Sequence, residues 1–179
     1  MFPEPAVDGL YRELILHHYR CPCNRGKLDP ADAAAHAVNP LCGDEIDLTL
    51  RHHGGTIADI RTQGRGCSIS LASASMMTEA VKGRTVERAK ELIETFKRLM
   101  SGGLPSSALP VELEELEALE GVRSFPVRIK CALLAWTTLV EALDDLQRRR
   151  CREPGRIAAV RAAGDPDGAE GVAPGDQGP

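Results

Sequence analysis

The sequence predicts an α+β fold: a small antiparallel sheet early in the chain, helices packed against it, and a long C-terminal helix. Three observations carry this. Between about residues 33 and 62 apolar and polar residues alternate, as in strands with one covered face. Beyond Gly66 the apolar spacing changes to three and four, the period of a helix. Residues 152–179 then hold six Gly and four Pro with no aromatic, the composition of a disordered tail. The chain therefore divides into a domain over 1–150 and a tail over 151–179.

Each element has its own signals. Residues 8–20 form a helix with Asp8 as candidate N-cap and Leu10, Leu14 and His17 on one side. Pro22 and Gly26 close it. A weaker strand is expected around Ala34 to Val38. In the next strand Ile46, Leu48 and Leu50 point inward. His53-Gly54-Gly55 turns the chain, and Ala58, Ile60 and Thr62 alternate again. Ile69, Ala72, Ser73, Met76 and Ala80 mark one helix with Ser68 as possible N-cap. Thr85 starts another that runs to about Met100 and ends at Ser101-Gly102-Gly103. Residues 104–111 read as loop and Glu112 to Glu120 as a short acidic helix with a solvated face. Pro126 suits the first turn of the last helix, whose core face is Ile129, Ala132, Leu133, Trp136, Val140 and Leu143.

Composition removes several classes of function. With 179 residues and 42% hydrophobic content, the chain is one domain able to bury a core. Aromatics at 3% leave no stacking platform for single-stranded nucleic acid. Lys+Arg 22 against Asp+Glu 26, a net charge of −4, offers no basic excess for a phosphate backbone. The longest apolar run, Cys131 to Trp136, is too short to cross a bilayer, and the N-terminus lacks a signal-peptide layout. A cytoplasmic protein with no nucleic-acid or membrane partner is expected. Its six cysteines, at 21, 23, 42, 67, 131 and 151, are then reduced thiols, which points to metal or thiol chemistry.

Three cysteines and one aspartate stand at element edges. In Asn39-Pro40-Leu41-Cys42-Gly43-Asp44, an extended backbone would send Cys42 and Asp44 to the same face. In Gly64-Arg65-Gly66-Cys67, Cys67 sits at a helix mouth, where free N–H groups favour a thiolate. In Arg128-Ile129-Lys130-Cys131, Arg128 and Cys131 are i, i+3 neighbours, so the guanidinium reaches what Cys131 holds. Together Cys42, Asp44, Cys67 and Cys131 make a plausible S3O set for Zn²⁺, the aspartate being the more readily displaced ligand. The paired C-x-x-C signature is absent, so spacing alone also leaves a purely structural zinc site, or buried thiols, open.

The stretches LYRELILHHY, NPLCGDEIDL, GRGCSISLASASMM and FPVRIKCALLAW resemble the SufU family of sulfur-transfer proteins, part of the wider IscU/NifU N-terminal group. The resemblance covers about residues 8–145, in four blocks in the right order. It implies a three-stranded sheet with packed helices and a zinc site built from Cys42, Asp44, Cys67 and Cys131. Scaffold-type IscU proteins carry a His immediately before the last cysteine, where this chain has Lys130. Residues from about Ser101 to Val122 resemble the insertion found in SufU-type proteins. Both features favour zinc-dependent sulfur transfer. The implied partners are a pyridoxal-phosphate cysteine desulfurase of the SufS type and a downstream Suf-type cluster scaffold. In the implied mechanism the partner displaces Cys42 from zinc. Cys42 attacks the terminal persulfide sulfur, Arg128 steadies the released anion, and Asp44, Cys67 and Cys131 keep the metal. The alternative within the group is an iron–sulfur scaffold that binds iron or a nascent cluster on the same ligands.

The remaining candidates read more plainly. Cys21-Pro22-Cys23 offers a second metal site or a redox pair, but the resemblance assigns it no role and surface thiols are expected; Cys151 is incidental. His17, His18, His52 and His53 are solvated or core histidines. The run Leu71 to Ser75 with Met76 and Met77 is close helix packing.

Overall fold

The computed structural model describes residues 9–152; the Asp8 cap and all but the first two residues of the expected tail lie outside that range. Residues 9–147 belong to one compact unit, and the last helix continues to Arg152. The architecture is α+β, as predicted. β1 (Ala33–Val38), β2 (Glu45–His53) and β3 (Thr56–Arg65) form an antiparallel meander in the order β1-β2-β3. Helices α1 (Gly9–Arg20), α2 (Ser68–Val81), α3 (Val86–Met100) and α4 (Pro126–Arg152) make up the rest with 3-10 turns. No described helix is long and apolar enough to cross a membrane.

The sheet buries Ile46, Leu48 and Leu50 from β2, as their alternation predicts. β3 departs from prediction. Arg51 pairs with Asp59 but His52 pairs with Ile57, so Ala58 is an extra residue at a bulge. Ile57 therefore turns inward beside Ile60 and Thr62, and Ala58 stays exposed. On α1 the covered side is Leu14, Ile15 and His18; Leu10 and His17 are exposed, so the face lies one residue round from the predicted one.

α2 is buried on nearly every side, which its small residues allow: Ser70, Ala72, Ser73, Ala74 and Ser75 are all inside. Its N-cap is Cys67, not Ser68. α3 starts as predicted, with Thr85 Oγ1 accepting from the Arg88 N–H. α4 is covered on more than the predicted stripe, burying Leu134, Ala135, Thr138 and Leu139 as well. Trp136 stacks on Phe96 of α3, centroids 4.6 Å apart. Its indole N–H donates to Ser73 Oγ, whose hydroxyl donates to the Ala132 carbonyl at 2.7 Å. The Trp136, Ser73 and Ala132 groups between α2 and α4 thus satisfy one another, whereas Ser70 Oγ, one turn earlier on α2, is buried without a hydrogen-bond partner.

The segment between α3 and α4 differs most. In place of a loop and a short α-helix, a 3-10 turn (Ser106–Ala108) precedes 3-10 helix over Val111–Ser124. Leu113, Leu116, Leu119 and Val122 are buried at a strict spacing of three. That is the period of a 3-10 helix, in which i and i+3 eclipse. The acidic residues lie between these anchors. Glu112, just before the first of them, receives two hydrogen bonds from the Arg88 guanidinium at 3.2 Å each.

Candidate metal centre

The turn from β1 to β2 places the first two candidate residues. Asn39 N–H donates to the Asp44 carbonyl, and Gly43 N–H to the Asn39 carbonyl, both at 2.8 Å. Gly43 has φ +73°, the left-handed conformation a glycine takes without strain. Cys42 and Asp44 meet because of this tight turn. The extended backbone expected from Cys42 onward begins only at Glu45. The turn leaves Cys42 exposed and swings Asp44 into the interior, where it is buried.

The step from β3 to α2 adds the third. Gly64 lies so close to β2 that a Cβ would come 2.0 Å from the Glu45 carbonyl oxygen. At Gly66 a Cβ would stand 2.9 Å from Asp44 Cγ, so this glycine makes room for the carboxylate. The two glycines of the Gly64-Arg65-Gly66-Cys67 stretch are thus fixed by close approach. Cys67 N–H donates to Asp44 Oδ1 at 3.1 Å, and Cys67 Sγ accepts from the Ser70 N–H at 3.5 Å. The fourth residue, Cys131, is buried in the second turn of α4, its Sγ 3.5 Å from Cys42 Sγ.

Ligand atoms of Cys42, Asp44 and Cys131 all lie within 4.8 Å of one another. Cys67 falls outside that set and joins the cluster through Asp44. Arg128 is exposed, its guanidinium over the Phe125 ring with 5.6 Å between Cζ and the centroid. Among the described residues no hydrogen bond or ion pair links it to Cys131. Sequence reasoning gave no role to Asn39. This buried side chain donates from Nδ2 to Cys131 Sγ at 3.6 Å and accepts the Leu41 N–H on Oδ1 at 3.1 Å. An Asn ahead of Pro-x-Cys is the usual chemistry of a side chain that caps its own turn, which was the available signal.

The electrostatics show what the cluster lacks. Burial, then the neighbouring Cys42 thiol and the charges around it, pushes the Cys131 thiol far above the usual range. Cys67 is also pushed up, by burial first and then by the Asp44 charge, against the pull of the Ser70 N–H. The thiolate expected there from the helix end alone is therefore not favoured in the metal-free protein. Asp44 Oδ2 is buried without a hydrogen-bond partner. A buried carboxylate oxygen is rarely left so, because its desolvation goes uncompensated. Two thiols, an adjoining third and an orphaned carboxylate oxygen fit a thiophilic cation such as zinc, which takes S and O donors and favours their ionised forms.

The sequence matches the family described as the NifU-like N-terminal domain over residues 10–153. It is 44% identical over 133 residues to the zinc-dependent sulfurtransferase SufU of Bacillus subtilis, across 74% of this chain and 88% of that one. It is 42% identical over 137 residues to the iron–sulfur cluster assembly scaffold protein IscU of Streptococcus pyogenes, across 76% and 84%. The crystal structure of the N-terminal part of a nitrogen-fixing NifU-like protein from Brucella abortus shares the fold at TM-score 0.73. The match covers 80% of this chain and 99% of that one at 22% identity. The chain belongs to the NifU-like N-terminal domain family.

Proposed function

We propose, with that family as the premise, that the chain is a zinc-dependent sulfur carrier in iron–sulfur cluster assembly. It accepts persulfide sulfur from a cysteine desulfurase on Cys42 and passes it to a downstream assembly protein. Cys42, Asp44, Cys67 and Cys131 would hold the zinc. The observation that carries this reading is an asymmetry: Cys42 is exposed beside a buried Cys131 and a buried Asp44 with an unpaired oxygen. Cys67 is exposed too, but its Sγ is engaged by the Ser70 N–H, which leaves Cys42 as the thiol open to a partner; a cluster meant only to brace the fold gains nothing from thiols at the surface.

Zinc, when bound, supplies stabilisation of the thiolate form at neutral pH. The residues do the rest. The β1–β2 turn presents Cys42 Sγ to the partner. The Cys42 thiolate attacks the outer sulfur of the partner's persulfide, one sulfur–sulfur bond forms and another breaks, and the partner's cysteine leaves as a thiolate. Cys42 then carries the persulfide. Asp44, Cys67 and Cys131 remain as the other donors, positioned by Gly66, Asn39 and the start of α2. Arg128, exposed on the first turn of α4, steadies the anion on Cys42, for which it must leave the Phe125 ring. The partners are a pyridoxal-phosphate desulfurase of the SufS type and a Suf-type cluster scaffold.

The test is metal analysis of the purified chain together with an assay of its cognate desulfurase. About one zinc per chain in this centre, and stimulation of the desulfurase that Cys42→Ala removes, are expected. The second reading, an iron–sulfur scaffold on the same residues, is favoured by the likeness to a protein named as such. It predicts iron, a visible chromophore and no stimulation. Lys130 counts against it, since the resemblance implies a His at that position in scaffold-type proteins.

A further inference from the structure

A second set of mixed donors lies between α1 and α2. His18, Cys23 and Glu79 bring a ring nitrogen, a thiol and a carboxylate within 4.8 Å of one another. Sequence reasoning treated Cys23 as a surface thiol. It is half-buried, and burial and the adjacent Glu79 hold it protonated above the ordinary thiol range. Glu79 lies twelve residues beyond Cys67, about 18 Å along α2 at 1.5 Å per residue, so the two clusters are separate.

We propose that His18, Cys23 and Glu79 form a second, open site for a borderline divalent cation of the zinc type. His18 is buried, and its Nε2 lies 3.0 Å from Glu115 Oε2. Donation to that carboxylate places the ring proton on Nε2 and leaves Nδ1 as the acceptor, held by the Ser75 hydroxyl that a cation would displace, with Cys23 and Glu79 beside it. A carboxylate on the far nitrogen is the usual outer partner of a metal-binding histidine, fixing both tautomer and ring orientation. Nδ1 lies 2.9 Å from Ser75 Oγ and 3.8 Å from Glu79 Oε2. Ser75 also accepts the Cys23 N–H at 2.8 Å, which ties the loop carrying the thiol to α2. One N, one S and one O donor leave a fourth tetrahedral position for water or an outside ligand. Glu79 is half-exposed, which gives the ion a way in, and binding releases the Cys23 proton.

Cobalt(II), with its visible thiolate charge-transfer bands, is the probe, titrated into the metal-free full chain and two variants. Cys23→Ser and Glu79→Gln, each checked for its circular dichroism spectrum, should take up one cobalt fewer than the parent, or bind it at least about tenfold more weakly. Because the readout is the difference between chains, it holds whether or not Cys42 and its neighbours bind metal. Equal stoichiometry and affinity in all three chains would mean that His18 is only an ion-paired core histidine, and would overturn the proposal.

Discussion

Two buried polar clusters along α2 behave in opposite ways. In the seam with α4, the Trp136 N–H, the Ser73 hydroxyl and the Ala132 carbonyl form a closed chain. Around Cys67, at the N-terminus of the same helix, Asp44 keeps one oxygen unpaired beside thiols held protonated. That hydrogen-bond chain is complete in the protein alone and serves stability. The cysteine cluster costs stability until something binds, which marks it as a site.

That contrast is sharpest in its largest expected effect. Trp136→Ala removes the ring stacked on Phe96 and should cost about 3–5 kcal/mol in denaturant unfolding, with or without zinc. A loss below about 1 kcal/mol would mean the seam is not the structural centre. Zinc removal comes next. At a free concentration of 100 times Kd, bound metal stabilises by about 2.7 kcal/mol. Chelation should then lower Tm by on the order of 5–10 °C. Asp44→Ala should make the melting curve insensitive to chelator, and an equally large chelator effect in that variant would break the contrast. Ser73→Ala should cost about 1–3 kcal/mol by leaving the indole N–H unpaired, without altering metal content.

The smallest effect is at the surface, where Arg88 holds the Glu112 carboxyl below its ordinary range. A carboxyl depressed in the folded state contributes stability above its unfolded pKa, about 4.3, and loses it as pH falls through the folded value. Glu112→Gln should therefore lower Tm slightly at neutral pH, and the difference should close in acid. A difference that persists below both values would assign the effect to packing.

The parts legible in the sequence are those set by local rules. The strand alternation at Ile46, Leu48 and Leu50, the Thr85 cap and the Pro126 helix start needed only nearby residues. Cys42, Asp44 and Cys131, which the fold brings together, and Cys67 beside them stood out in the sequence because each sits at an element edge beside a glycine or proline, or one turn from a helix start. What failed was long-range. The Ala58 bulge depends on pairing with β2, and the burial around α2 and α4 depends on all their neighbours. The 3-10 helix was different. Its spacing of three at Leu113, Leu116, Leu119 and Val122 was present to be read, and the acidic residues between drew attention from it. The grouping of His18, Cys23 and Glu79 joins positions far apart in sequence and carries no motif.

The central claim is that the exposed Cys42 is the thiol that receives sulfur. Peptide mass spectrometry of the chain, after incubation with its cognate desulfurase and free cysteine, tests it directly. The account predicts one added sulfur atom on the peptide containing Cys42, removable by a reducing thiol and absent in Cys42→Ser. Sulfur found on Cys67 or Cys131 instead, or on no cysteine while the desulfurase is active, would contradict it.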